Sequence, residues 1–282
     1  MIQVQNLDFW YKKDRPVFKN LNLSLVSGHI YGLLGKNGSG KSTLLKCISG
    51  LSFPAHGNCL VAGADTSKRR VQTLENLFFL AEEVYVPSLT PGQFLKNTAA
   101  FYPKFSITDF YAYLKTLDVD PEQAMNNMSY GQQKKVMIAF GLATNASVLI
   151  MDEPTNGLDI PSKVQFRKLI ASVLNEERCI IISTHQVRDL DSLIDTVLIL
   201  DNHQIAINSS VDLLTDKLLF GVFENTGGMN VLYEEESMRG KHAIIQNTSG
   251  KYSKMDLELL FNAVTSGSNK LTEILEEGGD NE

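Results

Sequence analysis

Gly35 to Ser42 reads GKNGSGKS, the spacing G-x-x-x-x-G-K-[ST] that lets a backbone wrap a phosphate chain. Gly38 and Gly40 allow close approach of the main chain, and Gly35, Asn37 and Ser39 complete the loop. Lys41 reaches the outer phosphates, Ser42 offers a hydroxyl to Mg2+, and Thr43 offers one to an inner phosphate. Farther on, SVLIMDE sets Asp152 and Glu153 at the end of an apolar strand, where ligands of parallel sheets sit. Asp152 is placed to hold the metal, directly or through water, and Glu153 to polarise an attacking water. His185 ends a second apolar run, CIIISTHQ. A lone histidine is ordinarily a satisfied structural residue. At the same strand edge as Asp152, however, it is a donor aimed at a γ-phosphate. The chemistry is hydrolysis of a nucleoside triphosphate, with Lys41, Glu153 and His185 as catalytic residues.

Two further stretches bear on the same ligand. In FWYKK, the Tyr11 ring offers a face for a base to stack on, with Trp10 as the fallback and Phe9 a core residue. MSYGQQKK reads as a helix start: Ser129 caps, Gly131 admits a ligand to the backbone, and two lysines follow. It is a second anion site in a chain that already has a better one.

The elements that must position these residues are legible from periodicity. Residues 1–30 alternate apolar and polar positions, as antiparallel strands do, and HIYGLLG and GNCLVAG are further strands. Residues 90–127 have helical spacing. After Ser129 the pattern is helix, the strand SVLIMDE, the helix SKVQFRKLIASVL, the strand CIIIST, the helix QVRDLDSLI, then the strands TVLILDN and QIAIN. Such alternation implies an α/β fold with a mostly parallel sheet covered on both faces. Within 218–282, GVFENTGGMNVLYEEES suggests a hairpin, MDLELLFNAVTSG a helix, and ILEEGGDNE a frayed end. The expected organisation is a nucleotide-binding domain over 1–217, its helical subdomain at about 88–140, and a small acidic accessory domain over 218–282, whose deletion leaves nucleotide binding intact.

The 282 residues carry a formal net charge of −6. Residues 1–217 hold 21 basic and 21 acidic side chains, and residues 218–282 hold 5 and 11, so the excess is confined to the tail. A neutral body with an acidic tail argues against nucleic acid as a partner. Three scattered cysteines, Cys47, Cys59 and Cys179, make no disulfide framework and fit a reducing cytosol. No apolar run approaches the roughly 18 residues needed to cross a bilayer, and the N-terminus has no signal pattern.

Taken together, these motifs resemble the nucleotide-binding subunit of an ABC transporter, of the bacterial exporter type. MSYGQ resembles the LSGGQ signature, TNGLD after MDEP the D-loop, His185 the H-loop and Tyr11 the A-loop aromatic, over roughly residues 2–215. The resemblance implies an ABC-type P-loop fold with an antiparallel β subdomain, a mostly parallel core sheet, a helical subdomain and a small C-terminal α+β appendage. It implies ATP and Mg2+ as cofactors and a second ATP-binding subunit, either a second copy of this chain, the favoured case, or a paralogue. The two copies would meet head to tail, so that Ser129 and Gly131 cap the γ-phosphate held by the other copy, Gln132 braces the turn, and Asp159 reports across the interface. The implied setting is peripheral, at the cytoplasmic face of the inner membrane, on a polytopic membrane subunit contacted around residues 82–94.

Two positions depart from the family. Tyr130 replaces the first glycine of the signature, which is harmless if the side chain points outward and strained if φ is positive. The Q-loop glutamine is an acid, Glu82, with Glu83 as the alternative alignment. A carboxylate there would still accept from metal-bound water. Of the aromatics crowding 101–113, most are expected in the helix core, with Tyr102 and Phe105 exposed beside Pro103. A soluble ABC ATPase serving cofactor assembly or regulation is the competing reading, and membrane co-purification separates the two.

Overall fold

The alternation of side chains between the two faces of each central strand decides where the core lies. The computed structural model describes residues 1–238, 240–267 and 269–276. β1 (Ile2–Lys12), β2 (Arg15–Leu25), β4 (His56–Val61) and β5 (Ala64–Asp65) form an antiparallel sheet in the order β2-β1-β4-β5. β3 (His29–Gly35) belongs to a second sheet and runs through a loop into α1 (Lys41–Ile48). α2 (Val71–Leu74), β6 (Leu77–Leu80), α3 (Pro91–Thr98), α4 (Ile107–Thr116) and α5 (Tyr130–Ala143) follow. Next come β7 (Val148–Asp152), α6 (Ile160–Val173), β8 (Cys179–Ser183), β9 (Thr196–Asp201), β10 (Gln204–Ser210) and α7 (Val211–Lys217).

The second sheet has six strands in the order β10-β9-β3-β8-β7-β6, all parallel except the β10–β9 pair. Its central strands are apolar throughout because both faces are covered. Successive residues feed two separate cores. Tyr31, Leu33, Val148, Ile150, Cys179 and Ile181 join α1 and the antiparallel sheet. Ile30, Leu34, Leu149, Met151, Ile180 and Ile182 join α4, α5 and α6.

The helical segment packs on an aromatic cluster. Phe140 of α5 lies 5.0 Å from Phe105, 5.1 Å from Phe94 and 6.2 Å from Phe110, centroid to centroid. Tyr102 and Phe105 are therefore drawn inward, contrary to expectation, while Phe101 and Tyr111 face solvent. No helix among the described residues is long and apolar enough to cross a membrane.

Three other expectations are corrected. β6 was not anticipated; it is the short edge strand LFFL that precedes Glu82. The segment after His185 is a single 3-10 turn, Val187–Asp189, rather than a helix. Its Asp189 accepts from Thr155 Oγ1 (2.8 Å) and Lys163 Nζ (2.7 Å), so tertiary bonds hold the chain in the tight turn. In the tail, β11 (Leu218–Phe223) and β12 (Val231–Ser237) do not form a hairpin, since β13 (Gly240–Gln246) lies between them. Ala243, Ile244 and Ile245 are its most apolar run and take the central place, which buries them.

The tail continues with α8 (Leu257–Thr265) and α9 (Asn269–Glu276). Its buried residues, among them Phe220, Ile244, Leu257 and Leu260, belong to the same hydrophobic cluster as Leu190, Val197 and Ile199. α8 packs on β9 and on the 187–189 turn. Of the end expected to fray, residues 274–276 instead complete α9, where Lys217 Nζ donates to the Ile274 and Leu275 carbonyls at 2.8 and 2.9 Å, and 277–282 lie outside the described residues.

Candidate active site

The loop after β3 is built to bare its amides. Gly38 and Gly40 have φ of +79° and +109°, and a Cβ on Gly40 would meet Val17 at 2.6 Å. Gly40 caps α1 with no side chain over its first turn, leaving those N–H groups open to an anion. The buried Ser39 Oγ has no hydrogen-bond partner and packs against Gly35, where a Cβ would meet it at 2.5 Å. Lys41 Nζ donates to the Gly35 and Lys36 carbonyls at 2.8 and 3.3 Å. Burial lowers its pKa from the usual lysine range, opposed by the carboxylates of Glu153, Asp152 and Glu82.

Strand register brings the acids to this loop. Asp152 and Leu33 both pair with Ser183, so the ends of β3, β7 and β8 lie side by side. Ser183 Oγ donates to Asp152 Oδ1 at 2.5 Å and accepts from the Glu153 N–H at 3.1 Å. Glu153 has φ +47°, the left-handed region that a side chain rarely enters, and this turn aims its buried carboxylate back over the sheet edge. One oxygen accepts from Thr184 Oγ1 at 3.1 Å, and the other lies 2.9 Å from His185 Nδ1.

A cleft of about 510 Å3 is lined by Tyr11, Asn37, Gly38, Gly40, Lys41, Ser42, Thr43, Glu82, Glu153 and His185, together with Val17. Gly35, Ser39 and Asp152 are not part of this lining, and Gly35 and Asp152 are buried. The exposed Tyr11 packs edge-on to Phe9, and its hydroxyl is 3.1 Å from Thr43 Oγ1. Trp10 instead faces His56. Glu82 Oε1 accepts from Asn156 Nδ2 at 3.2 Å. Among the described residues no three His, Cys, Asp or Glu side chains gather around one point. A hard cation held by Ser42 and Asp152 would complete its shell with phosphate oxygens and water.

Ser129, Gly131, Gln132 and Asp159 line a different cleft, of about 630 Å3, that shares no lining residue with the first. Ser129 Oγ accepts from the Gln132 N–H (3.3 Å), and Gln132 Oε1 accepts from the Ser129 N–H (2.9 Å). Asp159 caps α6 by accepting from the Ser162 N–H, and hydrogen bonding from the Ser162 side chain and then its N–H lowers the Asp159 pKa. Tyr130 is the first helical residue, without positive φ. Its ring lies against Gly157, whose φ is +82° and where a Cβ would come within 2.8 Å of Tyr130 Cδ1. Its hydroxyl donates to the Glu82 carbonyl at 2.5 Å.

Sequence reasoning missed Ser183 and Thr184, although hydroxyls directly preceding His185 at a strand end were a usable signal. It also missed Asn156 and the inward turn of Lys134.

The family model described as ABC transporter matches residues 18–156. The SkfA peptide export ATP-binding protein SkfE of Bacillus subtilis is 30% identical over 206 residues, 71% of this chain and 85% of that protein. The uncharacterized ABC transporter ATP-binding protein MJ0089 of Methanocaldococcus jannaschii is 26% identical over 268 residues, covering 89% and 95%. A solved dimeric, post-hydrolysis structure of the ATP-binding cassette MJ0796, bound to ADP and Pi, shares the fold. Its TM-score is 0.67 at 21% identity, over 75% of this chain and 99% of that one.

Proposed function

The chain belongs to the ABC transporter family of ATP-binding cassette ATPases, and from that membership we propose that it drives an exporter as a head-to-tail homodimer seated on separate polytopic membrane subunits. The observation that carries the dimer is the separation of the two clefts. The helix start capped by Ser129 offers its dipole to an anion, yet it lines a cleft that shares no residue with the cleft of its own phosphate loop. A second copy placing its triphosphate against Ser129 and Gly131 uses both clefts at once. Asp159, on the rim of the second cleft, then faces the other copy.

Within one site, Lys41 and the loop amides bind the phosphates, and Tyr11 stacks on the base. Glu153, oriented by Thr184 and His185, takes the proton of the attacking water, and His185 donates toward the γ-phosphate. Mg2+, held by Ser42 and Asp152 with Glu82 nearby, neutralises phosphate charge when bound. Residues 1–217 form the ATPase domain, its helical subdomain spanning about 88–140. Residues 218–282 form an accessory region, whose described part packs on it. The export direction is supported by the peptide-export name of SkfE. That role places the protein at the cytoplasmic face of the membrane.

The test is the concentration dependence of hydrolysis by the purified chain. Turnover per molecule rises with protein concentration if the site is shared. A constant rate down to concentrations at which the protein is strictly monomeric would refute the dimer.

A further inference from the structure

Lys134 lies one turn into the helix that Ser129 caps, where a lysine ordinarily faces solvent, yet it is 0% exposed. Its ammonium is spent on the backbone of the catalytic edge. Nζ donates to the Glu153 carbonyl at 2.6 Å and to the Asn156 carbonyl at 3.4 Å, and it lies 3.5 Å from the Tyr130 hydroxyl. The Tyr130 ring centre is 5.4 Å away, within cation–π range. None of these partners is a carboxylate. An ammonium without an ion-pair partner is costly to bury, and hydrogen bonds to carbonyls are what keep it there. Burial lowers its pKa, while the carboxylates of Glu82, Glu153 and Asp152 work in the opposite sense.

What Lys134 grips is the strained part of the site. Glu153 holds φ +47°, and such a conformation persists only where its surroundings over-determine it. On the amide side, Ser183 takes the Glu153 N–H. On the carbonyl side, Lys134 is the shortest contact. The same ammonium reaches Asn156, whose side chain donates to Glu82, while Tyr130 bonds the Glu82 carbonyl. One buried cation thus joins the start of α5, the turn at Glu153 and the segment after β6.

We propose that Lys134 is a positioning residue for hydrolysis, clamping from α5 the backbone turn that aims Glu153. Seating the Ser129 helix start against a neighbour's triphosphate then also sets the base of the same chain, and this coupling rests on the dimer reading above. The clamp on Glu153 itself does not.

The test compares the full chain with Lys134→Met, which keeps the length and loses the donor, and Lys134→Gln, whose carboxamide still donates to one carbonyl. Steady-state hydrolysis with Mg2+-ATP is expected to show kcat down about 10- to 100-fold for Met and less for Gln, with KM within about two-fold. ATP-driven dimerisation in a Glu153→Gln background is retained. A wild-type kcat in either variant overturns the clamp, as does a KM that rises in step with the fall in kcat. Should Lys134→Met not fold, the kcat of Lys134→Gln decides alone. A wild-type rate independent of protein concentration would remove the coupling and leave the kcat comparison to judge the clamp.

Discussion

Replacing Glu153 by Gln removes a negative charge and almost nothing else, which makes it the sharpest probe of the catalytic edge. Glu153 is buried, with one oxygen bonded to Thr184 and the other facing His185 Nδ1 at 2.9 Å. A glutamine of the same shape places its carbonyl toward Thr184 and its amide toward His185, so packing and one bond survive. Removing a buried charge also relieves its desolvation, and the net change in stability is expected within about 1 kcal/mol. The effect on the reaction is far larger. A positioned general base contributes about 10²- to 10⁴-fold, equivalent to roughly 2.7–5.4 kcal/mol of barrier. Phosphate release at saturating Mg2+-ATP should therefore fall by that factor, with ATP affinity undiminished and an ATP-bound dimer accumulating on gel filtration. Turnover within about two-fold of a measurable wild-type rate would show that Glu153 is not the base.

Two further outcomes follow from burial. The thiols of Cys47 and Cys179 are pushed by burial from 9.0 up to about 12, so they stay neutral in the fold where an unfolded chain would ionise. Stability is then full below pH 9 and declines between about pH 9 and 12, by roughly 1.4 kcal/mol per pH unit for each thiol. Urea midpoints across that range check the slope, and rapid alkylation of the native protein at pH 8 would contradict the burial. Ending the chain after Lys217 uncovers Leu190, Val197 and Ile199 beneath α8, a loss on the order of 5 kcal/mol and comparable with a domain's whole stability. The truncated protein should aggregate or melt far below the full chain, and an unchanged Tm would disprove the shared core.

That last outcome departs from the sequence-based expectation of a separable tail, and the reason is physical. Composition registers the acidic excess after residue 217, but not that Leu257 and Leu260 fill the same core as β9. Phosphate chemistry was legible because it needs consecutive residues: GKNGSGKS, the DE pair and His185 are local patterns, and residues of all three line one cleft. The parallel strands were legible as unbroken apolar runs. What escaped was decided by distant partners. LFFL is too short to signal a strand before β7 pairs with it. GVFENTGGMNVLYEEES has the length of a hairpin, yet β13 outcompetes its own neighbour. Nothing local separates Lys134 from Lys135, although one is buried on a carbonyl and the other is half-buried on the rim of the second cleft.

Sheet register ties the two cores to the active site. Because Asp152 pairs with Ser183, the hydroxyl that holds Asp152 and the Glu153 amide comes from the neighbouring strand. A one-residue slip of β7 against β8 would withdraw that hydroxyl. The slip would also exchange Ile150 and Met151 between two separate hydrophobic clusters, each filled by alternate side chains. Burying Val148, Ile150, Leu149 and Met151 on their proper faces therefore fixes the position of Asp152, with no added interaction needed at the catalytic edge. Substitutions that loosen this register from within the core should cost activity before they cost fold, because a misplaced Ser183 Oγ releases both acids together.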